Sequence, residues 1–99
     1  MNYKPTSFAK SVTVAGTREA LKSASFVVRG EFEVCAKVAN TNDVFVGGSD
    51  VASATGRRLV PGQAVRLGVP GEYTDLSHVF VDATTNGEGV EVTANVRDS

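Results

Sequence analysis

Apolar and polar residues alternate along short stretches of this chain, and turn residues separate the stretches. The clearest run is Glu31 to Ala39. There Phe32, Val34, Ala36 and Val38 fall on one side, with Glu33, Cys35 and Lys37 on the other. A period of two is that of a strand with one buried face. Val90, Val92, Ala94 and Val96 alternate in the same way with Glu91, Thr93 and Asn95. Phe8 to Ala15 alternates more weakly, and Gly16 ends it. Phe26-Val27-Val28, Val44-Phe45-Val46 and Val79-Phe80-Val81 are β-branched and aromatic triplets suited to a pleated, half-buried surface. Val65 and Leu67 flank Arg66 in one more strand pattern. Thr17 to Lys22 could form one helical turn but is too short to be a stable helix alone.

The punctuation between these runs predicts how they connect. Asn40-Thr41-Asn42-Asp43 is turn chemistry, which places Val38 and Val44 in adjacent antiparallel strands. Asn86-Gly87-Glu88-Gly89 is a hairpin signal joining the Val79 strand to the Gly89–Val96 run. Gly30 marks a bulge or bend, and Pro61-Gly62 and Pro70-Gly71 mark turns, the latter within a Gly68–Thr74 loop. Asp75 is placed to cap a tight turn through Leu76 and Ser77. Ser49, Asp50, Ser53 and Thr55 can bond nearby backbone after the Gly47-Gly48 corner. Pro5 argues against a strand interior for residues 1–7. That segment reads as an extended arm, either a frayed terminus or one ordered on a neighbouring subunit with Tyr3 as its anchor, and residues 8–97 as a single domain. The expected fold is all-β: an antiparallel β-sandwich of about eight short strands, of jelly-roll kind.

Composition narrows the chemistry. Ninety-nine residues (10.3 kDa) make one domain, and a chain of that mass buries about 64% of its unfolded surface. Ten Lys or Arg against eleven Asp or Glu give a net charge of -1. With no Lys/Arg run, nothing favours nucleic acid as a partner. No apolar stretch approaches the roughly 20 residues that cross a bilayer. The start, MNYKPTSFAK, lacks the apolar core of a signal peptide, so the expectation is a chain made in a cytoplasm or carried on a particle assembled there.

Candidate reactive groups are few. Cys35 is the single cysteine, read as a small packed side chain, and His78 is the single histidine, so no histidine metal cluster forms. Cys35 and His78 make a dyad on paper without motif context. Asp82 to Gly87 has the first half of a calcium-loop pattern, but the twelfth position is Thr93 where a bidentate Glu belongs. Hairpin chemistry is the better reading there, with a looser calcium site near Asp82 and Glu88 left open. Gly47-Gly48-Ser49 lacks the lysine and helix of a phosphate loop. The expectation is a non-enzymatic chain without cofactor or metal. Arg57, Arg58 and Arg66 are candidates for one rim of interface anchors, since guanidinium forks carboxylates. Ala52-Ser53-Ala54-Thr55 is small enough to mould against a partner. Tyr73, placed in a loop, is the one candidate for stacking on a sugar.

A family resemblance adds to this. The apolar strand ending in Val46-Gly47-Gly48-Ser49-Asp50-Val51, the Leu59-Val60-Pro61-Gly62 turn, Asp75-Leu76-Ser77 and Val79-Phe80-Val81-Asp82 resemble a family of small virion structural proteins of tailed bacteriophages. The likeness covers roughly Thr13 to Val96, and it implies a short strand at Thr17 to Lys22 in place of the helical turn. It implies a capsid decoration or cement protein on the virion surface. Its implied partners are the major capsid protein and further copies of itself, as a dimer or trimer. Tyr3, Pro5, Arg57, Arg58 and Arg66 are the residues expected at such contacts. A tail, neck or fibre-attachment component, and a carbohydrate-binding host-attachment module, are the alternatives.

Overall fold

The computed structural model describes residues 2–52 and 55–98. The strands are β1 (Asn2–Ser11), β2 (Glu19–Ala20), β3 (Val27–Arg29), β4 (Phe32–Ala36), β5 (Val44–Gly47), β6 (Arg57–Leu59), β7 (Ala64–Leu67), β8 (Tyr73–Asp75), β9 (Phe80–Ala83) and β10 (Gly89–Asp98). A 3-10 turn, Leu76–His78, lies between β8 and β9. Asp75 caps it as the sequence predicts, its carboxylate accepting from the Ser77 N–H at 3.0 Å.

The pairing follows one rule. β1 pairs β10, β2 pairs β9, β3 pairs β8, β4 pairs β7 and β5 pairs β6, all antiparallel. The chain is thus a single ribbon folded back at its middle. Two more pairings, β10 with β4 and β9 with β5, roll that ribbon up. The result is two four-stranded sheets, β1-β10-β4-β7 and β2-β9-β5-β6, with β3-β8 a separate pair. A double sheet wound from one ribbon is a jelly roll, so the expected architecture is the observed one. β6 and β8 were not expected as strands. Neither has an alternation of its own; each is extended because a neighbour's ladder holds it.

Alternation then fills the core. Phe32, Val34 and Ala36 of β4 and Val90, Val92 and Ala94 of β10 point inward. Val44, Val46, Leu59 and Val81 of the second sheet join them in one cluster, with Val12, Leu21, Val28 and Leu76. Phe8 and Phe26 close one side edge-to-face, their centroids 5.9 Å apart, under the Lys22 ammonium 4.0 Å from the Phe8 ring.

Two expected hairpins are crossings between layers instead. β4 ends at Ala36, and Val38 sits in a turn, 81% exposed, where the alternation had placed it inside. β4 and β5 lie in different sheets, so Val38 and Val44 are not on adjacent strands. The Asn40 side chain, buried at the crossing, donates from Nδ2 to the Gly89 carbonyl at 2.8 Å and accepts from the Gly89 N–H at 3.2 Å. β9 and β10 likewise belong to different sheets. Gly87 does adopt the turn conformation, φ +83°, but its N–H bonds the Val12 carbonyl at 2.7 Å. Turn dipeptides encode a local reversal and not which sheet the chain enters next.

Of the segment expected as an arm, Met1 lies outside the described residues and the rest is the start of β1, paired with β10 from Asn2 to Ser11. Gly89 turns both its N–H and its C=O to the β4 side, to Asn40 and to the Lys37 N–H. Backbone groups alternate in direction along an antiparallel strand. Even-numbered residues of β10 therefore bond β1, and Thr6, Phe8 and Lys10 answer them from β1. Pro5, Ser7 and Ala9 turn their backbone groups to the open edge. The missing N–H of Pro5 falls where it removes no ladder bond, which is how an edge strand accommodates proline.

Three carboxylates pin loops to this frame. Asp75 accepts from the Ser25 hydroxyl at 2.7 Å and the Phe26 N–H at 3.0 Å, besides Ser77, and these bonds hold its titration far below the usual carboxylate range. Glu88 accepts from the Thr41 N–H at 2.6 Å, the Thr41 hydroxyl at 2.7 Å and the Asn42 N–H at 3.1 Å, which lowers it. Glu19 is lowered first by Lys10 at 2.9 Å and then by the Thr13 N–H. Each group titrates lower folded than unfolded. Each therefore adds stability above the ordinary carboxylate range, and loses it as the pH falls through that range and below. Urea midpoints measured from pH 7 to pH 2 should hold level down to about pH 5 and then drop. The acid-dependent drop should be smaller in Asp75→Asn.

Candidate functional site

The pairing of β10 with β4 stops at Thr93 and Glu33, yet β10 continues against β1 to Asp98. The chain before β4 bends away, because Gly30 takes φ +71° and gives its N–H to the Glu72 carbonyl at 2.7 Å. The divergence opens a cleft of about 530 Å³ on the outer face of the β1-β10-β4-β7 sheet. Arg29, Glu31, Glu33, Arg66, Thr93 and Asn95 line it, with both signs of charge.

Arg29 is the structural centre of that end. Its guanidinium carbon lies 5.0 Å from the Tyr3 ring and 6.0 Å from the Tyr73 ring. The two tyrosine hydroxyls are 2.9 Å apart. Residues 70 positions apart are thereby clasped, and Tyr3 anchors on its own chain. Tyr73 is a residue of β8, opposite Arg29 across the ladder, and not of a loop. It is 60% exposed, with the Arg29 guanidinium beside its ring and the Tyr3 hydroxyl at its own.

The three expected arginines do not form one cluster. Arg57 and Arg58 are on β6, at the edge of the β2-β9-β5-β6 sheet, and Arg66 is on β7, at the edge of the other. As neighbours in a strand, Arg57 and Arg58 point to opposite faces. Arg58 pairs with Asp43, while Arg66 faces the cleft beside Glu33, its cross-strand neighbour. Of the expected contact residues, Tyr3 lies at one end of the clasp, Pro5 on the open edge and Arg66 in the cleft. In the loop expected to mould against a partner, Ala52 and Thr55 bridge each other, and Ser53 and Ala54 lie outside the described residues.

The reactive groups are placed apart. Cys35 sits half-buried on the outer face of β4, its thiol toward the Ala36 and Gly62 carbonyls at 3.4 and 3.7 Å. His78 ends the 3-10 turn beside the other sheet. No hydrogen bond joins the two. Asp82 is buried and accepts from the N–H groups of Gly16 at 3.1 Å and Ala83 at 2.8 Å, while Glu88 holds Thr41 and Asn42. The two carboxylates of the looser calcium reading are thus occupied by different backbone segments. Among the described residues no group of three His, Cys, Asp or Glu could hold a metal ion.

Sequence reasoning missed Arg29 and Asn40. Arg29 ends a strand run and looks like any solvated charge; only the fold brings the tyrosines to it. Asn40 reads as turn chemistry, and its burial follows from the crossing between sheets. No protein-family model and no curated protein matches this sequence.

Proposed function

We propose that this chain is a structural protein of a tailed-phage virion, a decoration protein that reinforces the capsid by many repeated contacts with the major capsid protein. The reading is carried by the resemblance of Val46–Val51, Leu59–Gly62, Asp75–Ser77 and Val79–Asp82 to that family. Of those segments, Val46–Val51, Leu59–Gly62 and Val79–Asp82 run onto β5, β6 and β9, which are neighbours in one sheet, while Asp75 pairs with β3. A rolled ribbon with surface-facing arginines, an open strand edge and a mixed-charge cleft suits docking by shape more than turnover. Each copy contributes modest area, and multiplicity supplies the strength.

Quantitative mass spectrometry of purified particles tests the proposal. Hundreds of copies per virion are expected. A dozen or fewer would move the protein to the tail or neck, and none would overturn the assignment.

A further inference from the structure

We infer that the cleft where β4 parts from β10 is a binding site for a neutral oligosaccharide. This adds a ligand to the assembly reading and does not depend on it. Two guanidiniums (Arg29, Arg66), two carboxylates (Glu31, Glu33), a hydroxyl (Thr93) and an amide (Asn95) line the cleft, and only Phe32 and Pro70 bring apolar side chains. The formal charges of this lining sum to zero. None of the four charged groups forms an ion pair with a described residue. Their hydrogen-bonding capacity faces the cleft unspent.

That balance selects the ligand. An anion gains from the guanidiniums but meets two carboxylates, and a cation meets the reverse. An apolar ligand needs a mostly apolar pocket, which this is not. Vicinal sugar hydroxyls use both signs at once: they donate to a carboxylate and accept from a guanidinium, and such charge-assisted bonds are the strong ones. The register sets the spacing. Thr93 lies opposite Glu33, and Glu33 opposite Arg66. Hydroxyl, carboxylate and guanidinium therefore stand in one row across three strands, about 5 Å apart at Cβ. One step beyond that row the β4 ladder has ended, and Asn95 turns its own N–H and C=O to the side that β4 has left. Arg29 is held in advance by the Tyr3 and Tyr73 rings, which lowers the ordering cost of binding. Tyr73 thus serves the site through Arg29 and not by stacking on a sugar. At about 530 Å³ the cleft has the size of a small-ligand site.

Amide-resolved NMR titration of the whole chain tests this with uncharged probes: maltotriose, cellotriose, mannotriose and triacetylchitotriose. Tetraglutamate and tetralysine serve as charged competitors for the same cleft. At least one sugar should shift the Glu31, Glu33, Thr93 and Asn95 amides, and neither peptide should do so more tightly. In Arg66→Gln that affinity should fall about tenfold, the loss of one hydrogen bond to a charged group. The Arg66 side chain bonds no described residue, so the rest of the variant's spectrum should match wild type. No shift at those amides with any of the sugars overturns the inference, as does tighter binding of a charged peptide there. An Arg66→Gln chain that binds as well as wild type overturns it too. The wild-type titration stands if the variant does not fold. Particle copy number bears on the assembly reading alone, so either idea can fail without the other.

Discussion

Replacing Gly89 by alanine is expected to destabilise the protein by more than about 4 kcal/mol, a loss reserved for steric conflicts that cannot relax. A Cβ at this position would lie 2.0 Å from the Lys10 carbonyl oxygen and 2.7 Å from the Ser11 Cα. Both are backbone atoms of β1, fixed by the ladder that begins with Ser11 opposite Gly89. No side chain can swing aside. Either β1 lifts from β10, or β10 shifts and breaks the Asn40 bonds. Thermal and urea denaturation followed by circular dichroism will measure the change. A variant within about 1 kcal/mol of wild type would mean that the two strands do not approach so closely.

The second large effect is expected at Asn40. Its amide spans the crossing between β4 and β5 and grips Gly89 by both backbone groups. Alanine leaves the Gly89 carbonyl with the Lys37 N–H at 3.1 Å, but strands the Gly89 N–H. An orphaned buried donor costs about 1–3 kcal/mol, and the lost bonds add to that, so a loss of about 3 kcal/mol is expected. Asn40→Asp should recover only part of it, since a carboxylate accepts from the N–H but repels the carbonyl. Urea midpoints for the two variants decide the matter. A loss below about 0.5 kcal/mol in Asn40→Ala would show that water replaces the amide.

The strands were legible where alternation was long. Phe32, Val34 and Ala36, and Val90, Val92 and Ala94, are inside as the period of two required. The Asp75 cap was legible because capping is local. Connection was not. Asn40–Asp43 and Asn86–Gly89 both announce reversals, and both reverse the chain, but each delivers it to the opposite layer. That choice depends on which distant strand offers a free ladder, and no local pattern records it. Pro5 misled for a related reason: proline excludes a strand interior only where its N–H would face a partner, and here it faces outward. The cleft was the least legible part, because Arg29, Glu33, Arg66 and Thr93 reach it from four different strands.

The mirrored order of pairing also governs how the molecule comes into being. On the ribosome, the first half of the chain emerges with none of its pairing partners yet made. β5 and β6 can close first, across the shortest connection, and each outer pair must span a longer one. β1 cannot pair until β10 has left the exit tunnel. The order of closure that loop length favours therefore runs from the β5–β6 connection outward to the β1–β10 pair.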